Sequence, residues 1–316
     1  MTSQPNFVDP EREHNSATDA IYREDFWTRK DRREFLENRG YRLRRWSFIY
    51  SGSPTTDSGL ELEPEEQSAS LFPHRPRIMG ATRLSDGLAI CLKAIETSGS
   101  EIEQPQNLSK LHYRPNAIHP ANHCVPILDK FKDFEERNVA FLVMPVLQHV
   151  DQDSFSTVQD VIEFTNQVLL GLDFIHHRQI AHRDCSLHNI MKNTSEAPQT
   201  VKYYFIDFSV SVCPVRGYRP VGGIHSRDKE PPEYVIDDEE YNPFALDVFL
   251  VGNMLRHEFL DKFTNLHFLQ ELVDSMTLEE PTSRPNAGES LLEWYSILPN
   301  ISKSHRIQQL HQREAH

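Results

Sequence analysis

The sequence predicts an α+β chain, and three observations carry the prediction. Strand-like apolar runs gather before residue 148, at 77–83, 88–95, 125–131 and 139–147. Helical patterns dominate after it, at 158–177, 244–259, 266–276 and 291–298. Runs of strands followed by runs of helices belong to α+β architecture. Third, the stretch Ala181-His182-Arg183-Asp184-Cys185-Ser186-Leu187-His188-Asn189-Ile190-Met191 lies between the 158–177 helix and a strand run at 201–206, which ends in Asp207-Phe208. Two carboxylates and an amide are thereby delivered on loops at the ends of short strands.

In chain order, residues 1–19 are polar, with Pro5 and Pro10, and 1–22 read as a disordered tail. From Glu24 the pattern turns helical: Phe26, Trp27, Phe35 and Leu36 fall near helical spacing, and Gly40 supplies a C-cap. Residues 23–45 hold nine Arg or Lys against five Asp or Glu, a net +4 that leaves −18 for the rest of a chain of −14. A cationic helix docked on an acidic body is the expectation. Residues 51–70 are rich in Ser, Thr, Pro and Glu and read as linker, so 23–70 forms an N-terminal helical extension with its linker. In the first strand pair Ser85-Asp86-Gly87 supplies the hairpin turn. The second strand of that pair, Ala89-Ile90-Cys91-Leu92-Lys93-Ala94-Ile95, carries a lysine, which in a β-branched strand is usually just an outward-facing residue. Asn122-His123-Cys124 reads as a turn with a buried cysteine rather than a ligand set. The 158–177 helix has apolar positions at Val158, Val161, Ile162, Phe164, Val168, Leu169, Leu172 and Ile175. After Asp207 comes loop composition, with Arg216, Arg219, Arg227 and Lys229 among Gly217, Gly222 and Gly223. Residues 299–316 read as a polar tail.

Composition narrows the function classes. The 316 residues hold one large domain or two small ones. A net charge of −14 argues against nucleic acid as a partner. Four cysteines without C-x-x-C spacing fit a reducing compartment. The polar start carries no secretory pattern, and the longest apolar run, 139–147, is too short to span a bilayer. The expectation is a soluble cytoplasmic protein, with the nucleus an alternative.

Phosphoryl transfer uses the residue types that the 181–207 region supplies. One carboxylate orients a hydroxyl, and a carboxylate plus an amide oxygen hold Mg²⁺. His-Arg-Asp alone could be a charged surface turn; Asp184 and Asn189 with Asp207-Phe208 form a far more specific set. This pattern, H-R-D-x-x-x-x-N followed by D-F, resembles the catalytic and metal loops of eukaryotic protein kinases. Further signatures stand in the same order: Ala89–Ile95 is similar to the V-A-I-K strand, and Pro231-Pro232-Glu233 to A-P-E. Asp247-Val248-Phe249-Leu250-Val251-Gly252 is similar to the D-x-W-x-x-G helix, and Ser283-Arg284-Pro285 to the closing Arg-Pro. The resemblance covers about residues 76–298. More narrowly, Phe26-Trp27, the run from Arg39 to Arg44, and Asn122-His123-Cys124-Val125-Pro126 resemble divergent kinase-like proteins of mushroom-forming fungi.

The resemblance implies a bilobal protein-kinase-like fold, with a small β-rich N-lobe at 71–147 and a larger helical C-lobe at 148–298. It implies ATP and Mg²⁺ as cofactors and a protein substrate as partner. Asp184 would orient the acceptor hydroxyl, Asn189 and Asp207 would hold metal, and Lys93 would hold the α- and β-phosphates. The acid pairing with Lys93 would be Glu101, with Glu103 open as an alternative because Pro105 disturbs the helix. Ile78 and Cys91 would roof the adenine, Met191 would floor it, and the hinge around Met144 and Val146 would form its edge. Glu233 and Arg284 would form a buried pair, and the Ser226 hydroxyl would help shape the acceptor site.

Four departures bear on activity. Counted back from Lys93 without gaps, the three phosphate-loop glycines fall on Leu71, Pro73 and Pro76, and proline has no N–H to offer a phosphate; Arg75 or Arg77 would be the nearest substitutes. Ser209 follows Asp207-Phe208 where the pattern has Gly, which costs the turn some φ freedom. Ser186 stands where Ser/Thr kinases carry a lysine. Only 37 positions separate Asp247 from Arg284, which leaves little room for a substrate-docking helix. Three readings follow: a divergent protein kinase acting on Ser or Thr, a pseudokinase scaffold without turnover, and a small-molecule phosphotransferase of the aminoglycoside or choline kinase type.

Overall fold

The structure, a computed structural model, describes residues 21, 23, 25–44, 77–97, 119–193, 201–214, 226, 228, 230–235 and 241–313. The chain divides into two units, Met1–Pro105 with Pro126–Val146, and Gln106–Val125 with Leu147–His316.

The first unit is built on a five-stranded antiparallel sheet. Its strands are β1 (Tyr41–Leu43), β2 (Ile78–Arg83), β3 (Ala89–Glu96), β4 (Asp129–Lys132) and β5 (Val139–Pro145), in the order β1-β2-β3-β5-β4. A helix, α1 (Lys30–Asn38), precedes them. The pleat sends alternate side chains to opposite faces. The register gathers Met79, Ala81, Ile90, Leu92, Ala94, Phe141 and Val143 on one face, where they share a core with Ile21, Phe26, Trp27 and Leu36. At nine residues α1 is too short to persist alone; burial of Leu36 and Arg32 holds it, and Gly40 at φ +90° ends it. The β4 edge carries Asp129, Lys130 and Lys132, charges that discourage a further strand from adding.

Two readings of this region differ from the structure. Residues 41–43 belong to the sheet, with Tyr41 opposite Arg83 and Leu43 opposite Ala81, rather than to a separate extension. Ile21, read as part of a disordered tail, is fully buried. A three-residue strand has no periodicity to read; it exists because β2 offers it an edge. Leu71, Pro73 and Pro76, the positions counted back from Lys93, lie outside the described residues. β1 ends at Leu43, so the β1–β2 connection runs through residues 45–76, all outside the described residues, and not only through 71–76.

Arg32 fastens this N-terminal segment. Its side chain is 1% exposed, and Nε donates to Asp133 Oδ2 at 3.1 Å. NH1 donates to the Phe26 carbonyl at 2.7 Å, and the guanidinium lies 3.9 Å from the Phe26 ring centroid. The other oxygen of the buried Asp133 accepts the N–H groups of Glu135 and Glu136. Arg29 reaches Glu135 at 2.7 Å. The basic segment thus docks on the acidic turn 133–136.

The second unit holds a small antiparallel sheet, β6 (Leu147–His149), β7 (Ile190–Asn193) and β8 (Tyr203–Phe205), in that order. Its helices are α2 (Val158–His177), α3 (Pro243–Leu255), α4 (Gln270–Met276), α5 (Ala287–Ile297) and α6 (Lys303–Arg306). α2 opens on a capping box, with Asp160 N–H to Thr157 Oγ1 and Thr157 N–H to Asp160 Oδ2. The outer edge of β8 is met by the Gln167 amide, which donates to Val201 O and accepts from Tyr203 N, both at 3.0 Å. α3 starts at Asn242 and Pro243, is buried nearly all round, and runs into a π-turn at Arg256–Leu260. At Gly252 any Cβ would lie 2.7 Å from Met276 Cβ, so glycine permits the close approach of α4. Residues 308–313, read as polar tail, pair with the backbone of 156–158 and 262–264. No helix among the described residues is long and apolar enough to cross a membrane.

Removing Arg32 leaves Asp133 charged, buried and unpaired. Arg32→Ala is expected to cost about 3–5 kcal/mol and lower the melting temperature by several degrees, read by calorimetry of the full chain. An unchanged melting temperature would show that the N-terminal segment is dispensable to the first unit.

Candidate active site

In the first unit the register places the expected nucleotide-facing residues. Ile78 pairs with Lys93 and Lys93 with Leu142; Gly80 pairs with Cys91 and Cys91 with Met144. Cross-strand partners share a face, so Ile78, Cys91, Lys93 and Met144 all lie on the face opposite the α1 core. Lys93 is buried at 8% exposure, while Ile78, Cys91, Met144 and Val146 are half-buried. Arg77, considered as a phosphate donor, lies on the other face, its NH2 3.9 Å from Glu96 Oε1. Glu101, Glu103 and Arg75 lie outside the described residues.

In the second unit, Asp247 organises the loop that carries Asp184. Its carboxylate is fully buried. Oδ2 accepts the His182 N–H at 2.7 Å and His176 Nε2 at 3.0 Å; Oδ1 accepts the Arg183 N–H at 2.6 Å. The buried Cys185 thiol also bonds to Asp247; burial first, then the charges of Asp247 and Asp184, push that thiol well above its usual range. Arg183 is held at φ +69°, a conformation that non-glycine residues rarely take. The motif similarity marks Asp247 only as part of a helix and does not reveal this role. The signal was there: one carboxylate in the otherwise apolar run Leu246–Val251.

His182 passes this order outward. Nε2–H donates to Ile206 O at 2.8 Å, and Nδ1 accepts the Asp184 N–H at 3.3 Å, so both partners select one tautomer. The ring packs 4.7 Å from that of the fully buried Phe208. Asn189 closes a short 3₁₀ turn over 187–189. Its Nδ2 donates to Asp184 Oδ2 at 2.6 Å and to the Asp184 carbonyl at 3.0 Å, and its own carbonyl accepts from Ile206 N–H at 2.9 Å. The amide nitrogen is committed to Asp184, and Oδ1 stays out of that pair. Asp207 follows Ile206 directly, at φ +58° and ψ +66°. The motif places the lost φ freedom at Ser209; in the structure the positive φ falls on Asp207, and Ser209 lies inside a 3₁₀ turn over 208–210. Aspartate tolerates this region better than most residues. Met191 lies half-buried on β7, opposite His149 and Tyr204.

The chain beyond Asp207 is tied to the same loop. Ala181 and Val212 exchange backbone hydrogen bonds, and Arg183 NH1 donates to Val210 O. Ser226, buried at 2%, accepts the Asp228 N–H and donates to the Asp228 carbonyl. Glu233 and Arg284 form a bidentate buried pair at 2.6 and 3.1 Å. Arg284 also donates to the carbonyls of Leu278, Glu279 and Ala245, over the Phe249 ring. His123 and Cys124 are structural. Burial pushes the imidazole down to about 4 and the thiol up, and the His123 ring bonds Tyr203 O.

Comparison with known proteins gives these groups a context. A family model for the protein kinase domain matches residues 77–267. A MAP kinase-interacting serine/threonine-protein kinase of Caenorhabditis elegans is 27% identical over 183 residues, 55% of this chain and 25% of that protein. Serine/threonine-protein kinase SAPK4 of Oryza sativa subsp. japonica is 33% identical over 89 residues, 28% of this chain and 24% of that protein. The chain spans about a quarter of the length of these curated relatives. The family match begins beyond α1 and β1.

Arg284→Ala leaves the Glu233 carboxylate buried and uncompensated. A loss of about 3–5 kcal/mol is expected, as a lower midpoint in chemical denaturation. A midpoint equal to wild type would mean that the pair contributes nothing.

Proposed function

We propose that this chain, which belongs to the protein kinase domain family, transfers the γ-phosphate of ATP to a protein hydroxyl, that of serine or threonine. The observation that carries the reading is the Asp184–Asn189–Ile206 arrangement. It holds one carboxylate for an acceptor hydroxyl and brings the residue preceding Asp207 onto the same loop. Asp184 orients the hydroxyl for in-line attack and accepts its proton. Asn189 Oδ1 and the Asp207 carboxylate are the metal ligands, hard oxygen donors that fit Mg²⁺. Among the described residues no set of three His, Cys, Asp or Glu could hold a metal; an ion carried by one carboxylate, one amide and the substrate's phosphates needs no such set. Bound Mg²⁺ neutralises charge on the phosphates. Lys93 holds the α- and β-phosphates, with Glu101 or Glu103 as its partner, and Ile78, Cys91, Met144, Val146 and Met191 surround the adenine. The Ser226 hydroxyl shapes the acceptor site. The narrower likeness to fungal kinase-like proteins and a cytoplasmic setting belong to the same reading.

One observation favours a second reading, a nucleotide-binding scaffold without turnover. The β1–β2 connection holds only Gly52 and Gly59, too widely spaced for G-x-G-x-x-G, and four prolines. Fewer backbone N–H donors would then meet the phosphates, at about 1.5–3 kcal/mol each.

Turnover of Mg-ATP on generic protein acceptors separates the two. Asp184→Asn is expected to lower the rate about 10²–10⁴-fold with the fold intact, and phosphoamino-acid analysis to show phosphoserine or phosphothreonine. Unchanged turnover in the mutant would remove Asp184 from the mechanism, and mainly phosphotyrosine would reverse the acceptor class. In thermal-shift titrations ATP should stabilise wild type only with Mg²⁺, by about 2.7 kcal/mol at a hundredfold excess over Kd. Lys93→Ala and Asp207→Ala should abolish the shift. A Mg-ATP shift without turnover would establish the scaffold.

A further inference from the structure

Away from this site, one ionisable group faces carboxylates from two directions. His257 lies in the π-turn that follows α3. Its Nε2 is 3.0 and 3.2 Å from the two oxygens of Glu230, and its Nδ1 is 3.0 Å from Asp261 Oδ2. A neutral imidazole has one N–H and one lone pair. It can donate to one of these carboxylates, and then turns its lone pair on the other. Only the imidazolium satisfies both.

The surroundings are acidic. Glu230 and Asp228 come from the segment before Pro231-Pro232-Glu233, and Asn253 Nδ2 of α3 donates to both, at 3.1 and 2.7 Å. The π-turn itself adds Glu258, which pairs with Lys262. Arg256 lies 3.5 Å from Asp274 of α4 and donates to Thr277 Oγ1. Among the described residues two carboxylates, Glu230 and Asp261, meet the imidazole itself, while the neighbouring Glu258 and Asp274 are each engaged by a cation, Lys262 and Arg256.

We propose that His257 is a proton-operated clasp, tying the chain at Glu230 to the π-turn when protonated and loosening it when neutral. Partial burial by itself would lower the pKa of His257; its hydrogen bonds with Glu230 and Asp261 outweigh that and raise it. The same bonds, His257 first and Asn253 next, draw Glu230 below its ordinary value. A raised folded-state pKa gives the sign. The clasp is complete below about 6.5, the ordinary histidine value, and is lost as pH rises through the higher value of the folded chain. Asn253 remains after the proton leaves, so the segment loosens without detaching, and the Glu233–Arg284 pair anchors its far end. The clasp holds whether or not the chain transfers phosphate.

Hydrogen exchange of the full chain from pH 5.5 to 8.5, corrected for intrinsic rates, tests this at the amides of Asp228, Glu230 and Glu233–Val235. His257 is 47% exposed, so protection in wild type should fall with rising pH by only about two- to fivefold. His257→Gln should remove the pH dependence, and His257→Arg, permanently charged, should keep protection at pH 8.5. An NMR titration should place the His257 pKa above the ordinary value and show it falling in Glu230→Gln. Equal pH dependence in wild type and His257→Gln, or none in wild type, would overturn the clasp, as would a His257 pKa unmoved by Glu230→Gln.

Discussion

One buried carboxylate, Asp247, sets the geometry on which the second unit's chemistry depends. A lone buried charge costs several kcal/mol unless donors surround it. Asp247 is surrounded by two backbone N–H groups from 182–183, the His176 ring and the Cys185 thiol. Those donors are aligned only when the loop takes one shape, including the positive φ of Arg183. The strain of that residue, of order 1–3 kcal/mol, is therefore held in place by the desolvated charge beneath it. From Asp247 the constraint runs through the His182 ring to Ile206 and the Asp184 N–H. Asn189 then ties Asp184 to the same strand end. Asp184, Asn189 and Asp207 share one hydrogen-bonded frame, although 23 positions separate the first from the last.

Among the described residues, each unit also contains a fully desolvated ion pair joining segments far apart in sequence. Arg32–Asp133 brings the N-terminal segment to the β4–β5 turn, and Arg284–Glu233 brings the chain before α5 to the segment before α3. Buried pairs contribute little net stability against apolar substitutes, but they penalise every arrangement that separates the partners. In the first unit this matters because residues 21–43 lie outside the family match at 77–267, yet supply six of the fifteen buried residues of its described core. The family-wide part of that sheet would otherwise expose Met79, Ala81, Leu92, Phe141 and Val143. The N-terminal segment completes the unit rather than extending it.

Local periodicity and short motifs were legible in the sequence. The 158–177 pattern gives α2 at its observed bounds. The run Ala89–Ile95 gives β3 with Lys93 on it, and the loop after α2 was recognisable because Asp184, Asn189 and Asp207 recur at motif spacing. What escaped depends on partners rather than on neighbours. β1 is three residues long and owes its conformation to β2. Counting glycine positions back from Lys93 assumed continuous chain, which sequence alone cannot verify. Arg77 and Lys93 point to opposite faces although both flank the same hairpin, because facing follows register and not proximity. The lost φ freedom expected at Ser209 falls instead on Asp207, since the turn closes two residues after β8 rather than four. Glu101 and Glu103 lie outside the described residues, so the choice between them rests on sequence spacing.

The short interval from Asp247 to Arg284 raises the question of what closes this side of the second unit. The interval holds α3, the π-turn, a 3₁₀ stretch over 264–269 and α4, and its turn pairs the N–H groups of 261–263 internally but leaves the Leu260 and Lys262 carbonyls and the Thr264 N–H to partners outside it. Buried backbone donors and acceptors need partners. Residues 305–313 provide them. Arg313 N–H meets Lys262 O and its Nε meets Leu260 O, Thr264 N–H meets His311 O, and the Asn265 side chain meets both Gln309 O and His311 N–H. The same strand-like segment meets Val158 and Ser156 at the start of α2. A stretch that composition marks as a polar tail is therefore a structural element. Its polarity follows from its position: one side is occupied by backbone pairing that any residue can make, and the other, with Ile307, Gln308 and His311, is exposed. Hydrophobic patterning cannot reveal a segment of this kind, because main-chain hydrogen bonds, and not buried side chains, hold it.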